Sequence, residues 1–190
     1  NNNTLSKESL TSGLSTILQS VESMTYNLNR AAELVHNFKK VAVDRSTDFI
    51  GEFTVSKWLD ELMSSLAPML NKKAIKWQLQ LPEEPIVMTT CTSKLAQVLS
   101  NLITNASIHG FPDDVDNDNK LILIKVSESD EKINIVVIDN GIGVNKENIA
   151  TLFDPFYTTN RERGSTGLGL SICRNILTGS LQGSIDINQH

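Results

Sequence analysis

Cysteine is scarce: Cys91 and Cys173 are the only two in 190 residues. They form neither a CxxC pair nor a zinc-ligand spacing, which argues against a disulfide framework and predicts two reduced, partly buried thiols. No run approaches the roughly 18 uncharged apolar residues of a membrane helix, and the polar start NNNTLSKES does not read as a signal peptide. Any membrane contact is expected to come through other parts of a longer parent protein. Basic residues show no excess, with 17 Lys and Arg against 22 Asp and Glu and a net charge of −5, and they form no long run. This balance argues against nucleic acid as a partner. What is present is an ordinary globular composition, 39% hydrophobic and 21% charged, on a chain long enough for one domain and an appendage.

The appendage reads first. Leu10, Leu14, Ile17, Val21, Met24, Leu28, Ala31, Val35 and Phe38 alternate spacings of four and three, which is an a/d heptad stripe. Residues 5–43 therefore read as one long helix, weakened only by Gly13 and in need of a partner helix. The segment RSTDFIGE, residues 45–52, breaks the pattern, and the boundary between an N-terminal helix (1–46) and a globular domain (47–190) is expected there. A second helix is expected over 55–71, from Val55, Leu59, Leu62, Leu66, Met69 and Leu70. Ile75, Trp77, Leu79 and Leu81 alternate as a strand, and IVMTT reads as another. Thr92 or Ser93 is expected to cap a helix reaching residue 109, with Leu95, Val98, Leu99, Leu102, Ile103 and Ala106 on its apolar side. The polar PDDVDNDNK, residues 112–120, lacks calcium-loop spacing and reads as a solvated turn. LILIKVSES and KINIVVIDNG read as antiparallel strands, followed by a helical stretch near 145–152, a helix over 168–178 and a last strand, GSIDI. Helices and strands mixed in this way indicate an α/β sandwich.

Three elements carry chemistry. Gln97, Asn101 and Asn105 are four residues apart and share the polar face of their helix. A carboxamide oxygen suits a hard cation beside a polyanion without adding the repulsion of a carboxylate. The second element is DNGIG: Asp139 is an acceptor at a strand end, and Gly141 and Gly143 leave the backbone open to a flat ring. In the third, RGSTGLGLS, the glycines at 164, 167 and 169 lead into a helix start whose free N–H groups suit phosphate. Its spacing is neither that of a P-loop nor that of a Rossmann turn.

Taken in order, QVLSNLITNA, DNGIG, LFDPFYTT, GSTGLGLSI and GSLQGSI resemble the N box, glycine boxes and phenylalanine box of sensor histidine kinases. NRAAELVHNFKKVAVDRS also looks like the second helix of their dimerisation hairpin. The resemblance, over residues 52–187, implies a two-layer Bergerat α/β sandwich that binds ATP and Mg²⁺ and transfers phosphate to a histidine for relay to a response regulator. It implies that Asn105 holds Mg²⁺, that Asn101 supports the phosphate side, and that Asp139 receives the adenine amino group. Gly141 and Gly143 would line the base. Gly164, Ser165, Thr166, Gly167, Leu168 and Gly169 would form the phosphate lid, anchored by Phe153 and Phe156. It further implies a homodimer through the N-terminal helix, in the cytoplasmic portion of a parent protein of the bacterial inner membrane.

Departures from the family pattern narrow the reading. Ile108 stands where the family often has a lysine, so any basic contact to phosphate must come from His109, Arg161 or Arg163. Hydrolytic relatives place a carboxylate base where this chain has Gln97, which favours phosphoryl transfer over water activation. Family acceptors sit in a motif resembling HExxxP, and none of His36, His109 and His190 has that context. The chain is therefore expected to be a piece of a longer protein that binds nucleotide without phosphorylating itself. An ATP-hydrolysing machine of the same fold and a nucleotide-binding dimerisation scaffold remain as alternatives.

Overall fold

The computed structural model describes residues 10–25, 27–28, 49–112, 119–129, 132–158 and 166–188. Within the first two spans the chain is helical (α1), and Leu10, Leu14, Ile17, Val21, Met24 and Leu28 are all exposed. The heptad stripe is thus open on the described part of α1. The C-terminal part of the expected helix lies outside the described residues.

Among the described residues, five strands and three further α-helices build the globular part: β1 (Ile50–Thr54), α2 (Val55–Lys72), β2 (Lys76–Gln80), β3 (Val87–Cys91), α3 (Thr92–Asn105), β4 (Leu121–Ser129), β5 (Lys132–Asp139) and α4 (Gly169–Gly179). A π turn (Ala106–Gly110) continues α3, and a 3-10 turn (Lys146–Thr151) follows β5. Strands β1 and β3 pair antiparallel, while the main sheet runs β2-β4-β5, with β2 and β4 parallel and β4 and β5 antiparallel. The parallel pair requires a crossover, which β3 and α3 supply.

Alternation decides which sheet face is covered. Ile122, Ile124 and Val126 of β4, with Ile133, Ile135 and Val137 of β5 and Trp77 and Leu79 of β2, join one core. Val55, Leu59, Met63 and Leu70 of α2 and Leu99 and Ile103 of α3 fill it from the helical layer. Each fully buried aliphatic side chain contributes about 1.5–3 kcal/mol by leaving water. The result is a two-layer α/β sandwich, with helices on one face of the sheet.

Three local expectations need correction. RSTDFIGE is not wholly a break, because Ile50–Thr54 form β1; the glycine and flanking polar residues masked a strand held by pairing with β3. Neither Thr92 nor Ser93 caps α3: Cys91 is the N-cap residue, without a side-chain capping bond, and Thr92 is already helical. GSIDI forms no strand within the described residues 183–187; β4 is the partner that β5 pairs with there.

Candidate functional site

The site is organised by α3. The four-residue spacing of Asn101 and Asn105 turns both carboxamides toward the start of α4. Asn101 Nδ2 donates to the Gly169 carbonyl at 3.4 Å. A Cβ on Gly169 would lie 3.6 and 3.7 Å from the Asn105 carboxamide atoms. One further contact ties the two helices, from the buried Cys173 thiol to the Val98 carbonyl at 3.7 Å. Burial pushes the Cys173 thiol up to about 11. The N-cap residue of α4, Leu168, gives no side-chain capping bond to the N–H groups of that first turn.

One turn beyond Asn105, the π turn delivers Gly110 to the DNGIG loop. The Gly110 carbonyl accepts from Ile142 N–H at 3.0 Å. A Cβ on Gly110 would stand 2.8 Å from Asp139 Oδ1, and one on Gly141 only 2.2 Å from the Gly110 carbonyl oxygen. The two glycines permit a backbone approach that any side chain would block. Asp139 closes β5, opposite Ile122, and its Oδ1 accepts from Gly141 N–H at 3.0 Å. That bond orients the carboxylate and leaves Oδ2 for an incoming donor. Asn140 fixes the loop from behind, its carboxamide accepting from Leu121 N–H at 2.8 Å and donating to the Asn119 carbonyl at 2.7 Å. Gly143 has φ +71° and open space where a side chain would be.

The phenylalanine-box turn meets the other side of α4. Gly167 has φ +70°, and a Cβ there would come within 2.6 Å of the backbone at Phe156 and Tyr157. Phe156 itself has φ +67° and is exposed. The Arg174 guanidinium lies 5.5 Å above the Phe153 ring. Thr166 is buried, and its hydroxyl accepts from Leu168 N–H at 3.4 Å. Among the predicted site residues, Arg161, Arg163, Gly164 and Ser165 lie outside the described residues.

His109 is half-buried, and burial first, then the charge of Lys73, lowers its pKa. The folded environment thus disfavours the charged imidazole. Sequence reasoning also missed Gly110, Asn140 and Arg174. A glycine directly after the helix was the available signal for Gly110. The other two are recognised only by what they touch.

Comparison with known proteins bears on this arrangement. The profile of the histidine kinase-, DNA gyrase B- and HSP90-like ATPases matches residues 91–190, more than half of the chain. The chain belongs to this ATPase family. The family's defining chemistry makes it an ATP-binding domain, and its relatives place it among the histidine-kinase type. It is 35% identical over 130 residues to the sensor protein VanSC of Enterococcus gallinarum, covering 66% of this chain and 34% of that protein. A nucleotide-free catalytic domain of the histidine kinase ThkA matches with TM-score 0.58 and 26% identity, over 70% of this chain and 82% of that one. ThkA in complex with the response regulator TrrA shares the fold, with TM-score 0.60 and 21% identity over 94% of this chain and 47% of that one. The ATPase domain spans about a third or less of the length of the curated relatives it matches first.

Proposed function

We propose that residues 47–190 are the ATP-binding catalytic domain of a sensor histidine kinase, which presents the γ-phosphate of Mg·ATP to an acceptor histidine outside the motifs of this chain. The observation that carries the reading is the double reach of α3. Its Asn101 and Asn105 meet the start of α4, while its π turn packs Gly110 on Asp139. One helix thus spans a phosphate end and a base end.

The donor set fits the nucleotide. Asp139 Oδ2 accepts the adenine amino group, the open backbone at Gly143 and the Gly110–Gly141 contact give a flat ring its bed, and the Asn105 oxygen serves Mg²⁺ as a neutral hard ligand. Bound Mg·ATP supplies the transferable phosphoryl group and neutralises the charge that develops on it. Asn101 holds the carbonyl of Gly169, and the glycines at 167 and 169 let the backbone of the lid approach the phosphates. Arg161 and Arg163 are the proposed cations for phosphate, with His109 a third candidate whose charged form the fold disfavours. Phe153 and Phe156 anchor the near end of the lid. Gln97 has no basic carboxylate to activate water, which supports transfer over hydrolysis.

Residues 1–46 are read as the dimerisation helix, an assignment supported by the open apolar stripe of α1, which a second copy would cover. A response-regulator receiver domain is the proposed phosphate recipient, by analogy with the ThkA complex. The parent protein is proposed to sit in a bacterial inner membrane with this domain on the cytoplasmic side.

Calorimetric titration of Mg·ATP tests the proposal. Losing one hydrogen bond at a charged acceptor should weaken binding about tenfold to a hundredfold in Asp139→Asn. Asn105→Asp, which places a carboxylate beside the triphosphate, should also weaken it, as should omission of Mg²⁺. Wild-type affinity in both variants would reject the assigned roles. Steady phosphate release by the purified protein would instead indicate a hydrolase.

A further inference from the structure

We propose that Lys73 is a positioning residue of the nucleotide site: by clamping the Ser107 carbonyl it holds the π turn that sets the offset between Asn105 and the Gly110–Asp139 contact. The inference rests on the functional reading above and concerns a residue outside every motif that led to it.

The argument begins at the end of α2. Ile75 N–H donates to the Leu70 carbonyl at 3.0 Å and Ala74 N–H to the Asn71 carbonyl at 3.0 Å, with Ala74 at φ +54°. This is a Schellman termination with alanine in the left-handed position. Leu70 and Ile75 are both buried, so the backbone of Lys73, the C-cap residue, is fixed on the core. From there its side chain crosses to α3, and Nζ donates to the Ser107 carbonyl at 2.9 Å, 34 residues away in sequence.

That carbonyl lies near the end of a helix, where carbonyls lack intrahelical donors and need an outside partner. The Ser107 hydroxyl offers no help: it is buried and finds no hydrogen-bond partner among the described residues. Lys73 is therefore a polar group that holds the turn from outside, at the Ser107 carbonyl. Three residues on, Gly110 makes two contacts with the DNGIG loop, its carbonyl on Ile142 N–H and its Cα against Asp139. A turn closed by i→i+5 bonds is wider than the α-helix it continues and is uncommon unless held. Releasing the Ser107 carbonyl lets residues 106–110 tighten toward α geometry. This rotates Gly110 away from Asp139 while Asn105 stays on α3.

The charge of the same ammonium group adds to burial in lowering the His109 pKa. A cation thus reaches the end of α3 from another element, on a chain that carries Ile108 where the resembling family often has lysine.

Lys73→Met, Lys73→Gln and Lys73→Arg in this chain test the inference, with Mg·ATP affinity by calorimetry, thermal melting, amide spectra without nucleotide, and an NMR titration of His109. Lys73→Met should weaken Mg·ATP about tenfold, the equivalent of one hydrogen bond from a charged donor. It should also shift the Gly110 and Ile142 amides and raise the His109 pKa, while Lys73→Arg stays within about twofold of wild type because it keeps a charged donor. If Lys73→Met does not fold, Lys73→Gln, whose shorter side chain withdraws the donor from Ser107, is read in the same way. Unmoved Gly110 and Ile142 amides with wild-type affinity in the folded variants would overturn the proposal. A wild-type protein that binds no nucleotide, with those amides still shifted by Lys73→Gln, would sink the nucleotide reading and leave the brace standing.

Discussion

Replacing Gly141 by alanine tests the contact on which the base end of the site depends. The new Cβ would lie 2.2 Å from the Gly110 carbonyl oxygen and 2.6 Å from its carbonyl carbon and Cα. These are backbone atoms, so no side chain can rotate away. One segment must move by about 1 Å to restore van der Waals distance, and an overpacked site of this kind costs about 1–3 kcal/mol. The displacement also strains two bonds of 3.0 Å, from Ile142 N–H to the Gly110 carbonyl and from Gly141 N–H to Asp139 Oδ1. Their loss adds roughly 2–4.5 kcal/mol, taking a neutral and a charged hydrogen bond together. A total of about 3–7.5 kcal/mol is a large part of the 5–15 kcal/mol that holds a typical domain folded. Urea unfolding followed by circular dichroism should show a strongly lowered midpoint, and any folded remainder should bind Mg·ATP at least tenfold more weakly. Gly143→Ala is the comparison. Its Cβ meets no atom of the described residues within 4 Å, so among them its stability cost is confined to the φ of +71°, roughly 1–2 kcal/mol for a left-handed L-residue. A Gly141→Ala protein as stable as wild type, with wild-type affinity, would refute the close packing of the π turn on the loop.

Other perturbations probe independent parts of the domain. Ala74→Gly should relieve the strain of φ +54° at the end of α2; after the entropy gained by the unfolded chain, the net stabilisation is about 0.5–1 kcal/mol and the melting temperature rises by roughly 1–4 °C in a scanning melt. Because the Cys173 thiol is raised to about 11, its contribution to stability is complete below the unfolded thiol's range and is lost as pH climbs toward that value. At pH 8 a thiol reagent should therefore label Cys173 only as fast as the domain opens, and labelling at the rate of a free thiol would contradict its burial. His109 acts in the opposite sense: its folded pKa is lowered, so the unfolded chain takes up the proton first as pH falls. Stability should be full above the unfolded imidazole's range and decline below it, and His109→Gln should flatten that acid limb of the urea midpoint.

Much of the fold was legible because it rests on periodicity. The spacing of Val55, Leu59 and Leu70, the alternation of Ile122, Ile124 and Val126, and the pairing of β4 with β5 are local patterns that the core then uses. Strand β1 was hidden because its stability comes from pairing with β3, nearly forty residues on, and not from its own composition. The helix cap was misplaced for a related reason: Thr92 and Ser93 are good capping residues by type, but β3 runs into α3 without an intervening loop and leaves Cys91 at the cap. In the site, the row of carboxamides and the glycine loops could be read directly, since spacing on one helix and in one turn fixes their geometry. The parts that join those motifs could not. Gly110 looks like an ordinary helix-ending glycine until the backbone of Gly141 is found against it. Lys73 looks like one more surface lysine until its amine is found on the Ser107 carbonyl. Sequence pattern reports which residues could bind a nucleotide; the distance between the binding groups is set by tertiary contacts that recur with no period. It follows that substitutions at Lys73 and Gly110 should disturb the nucleotide site while leaving every recognisable motif intact.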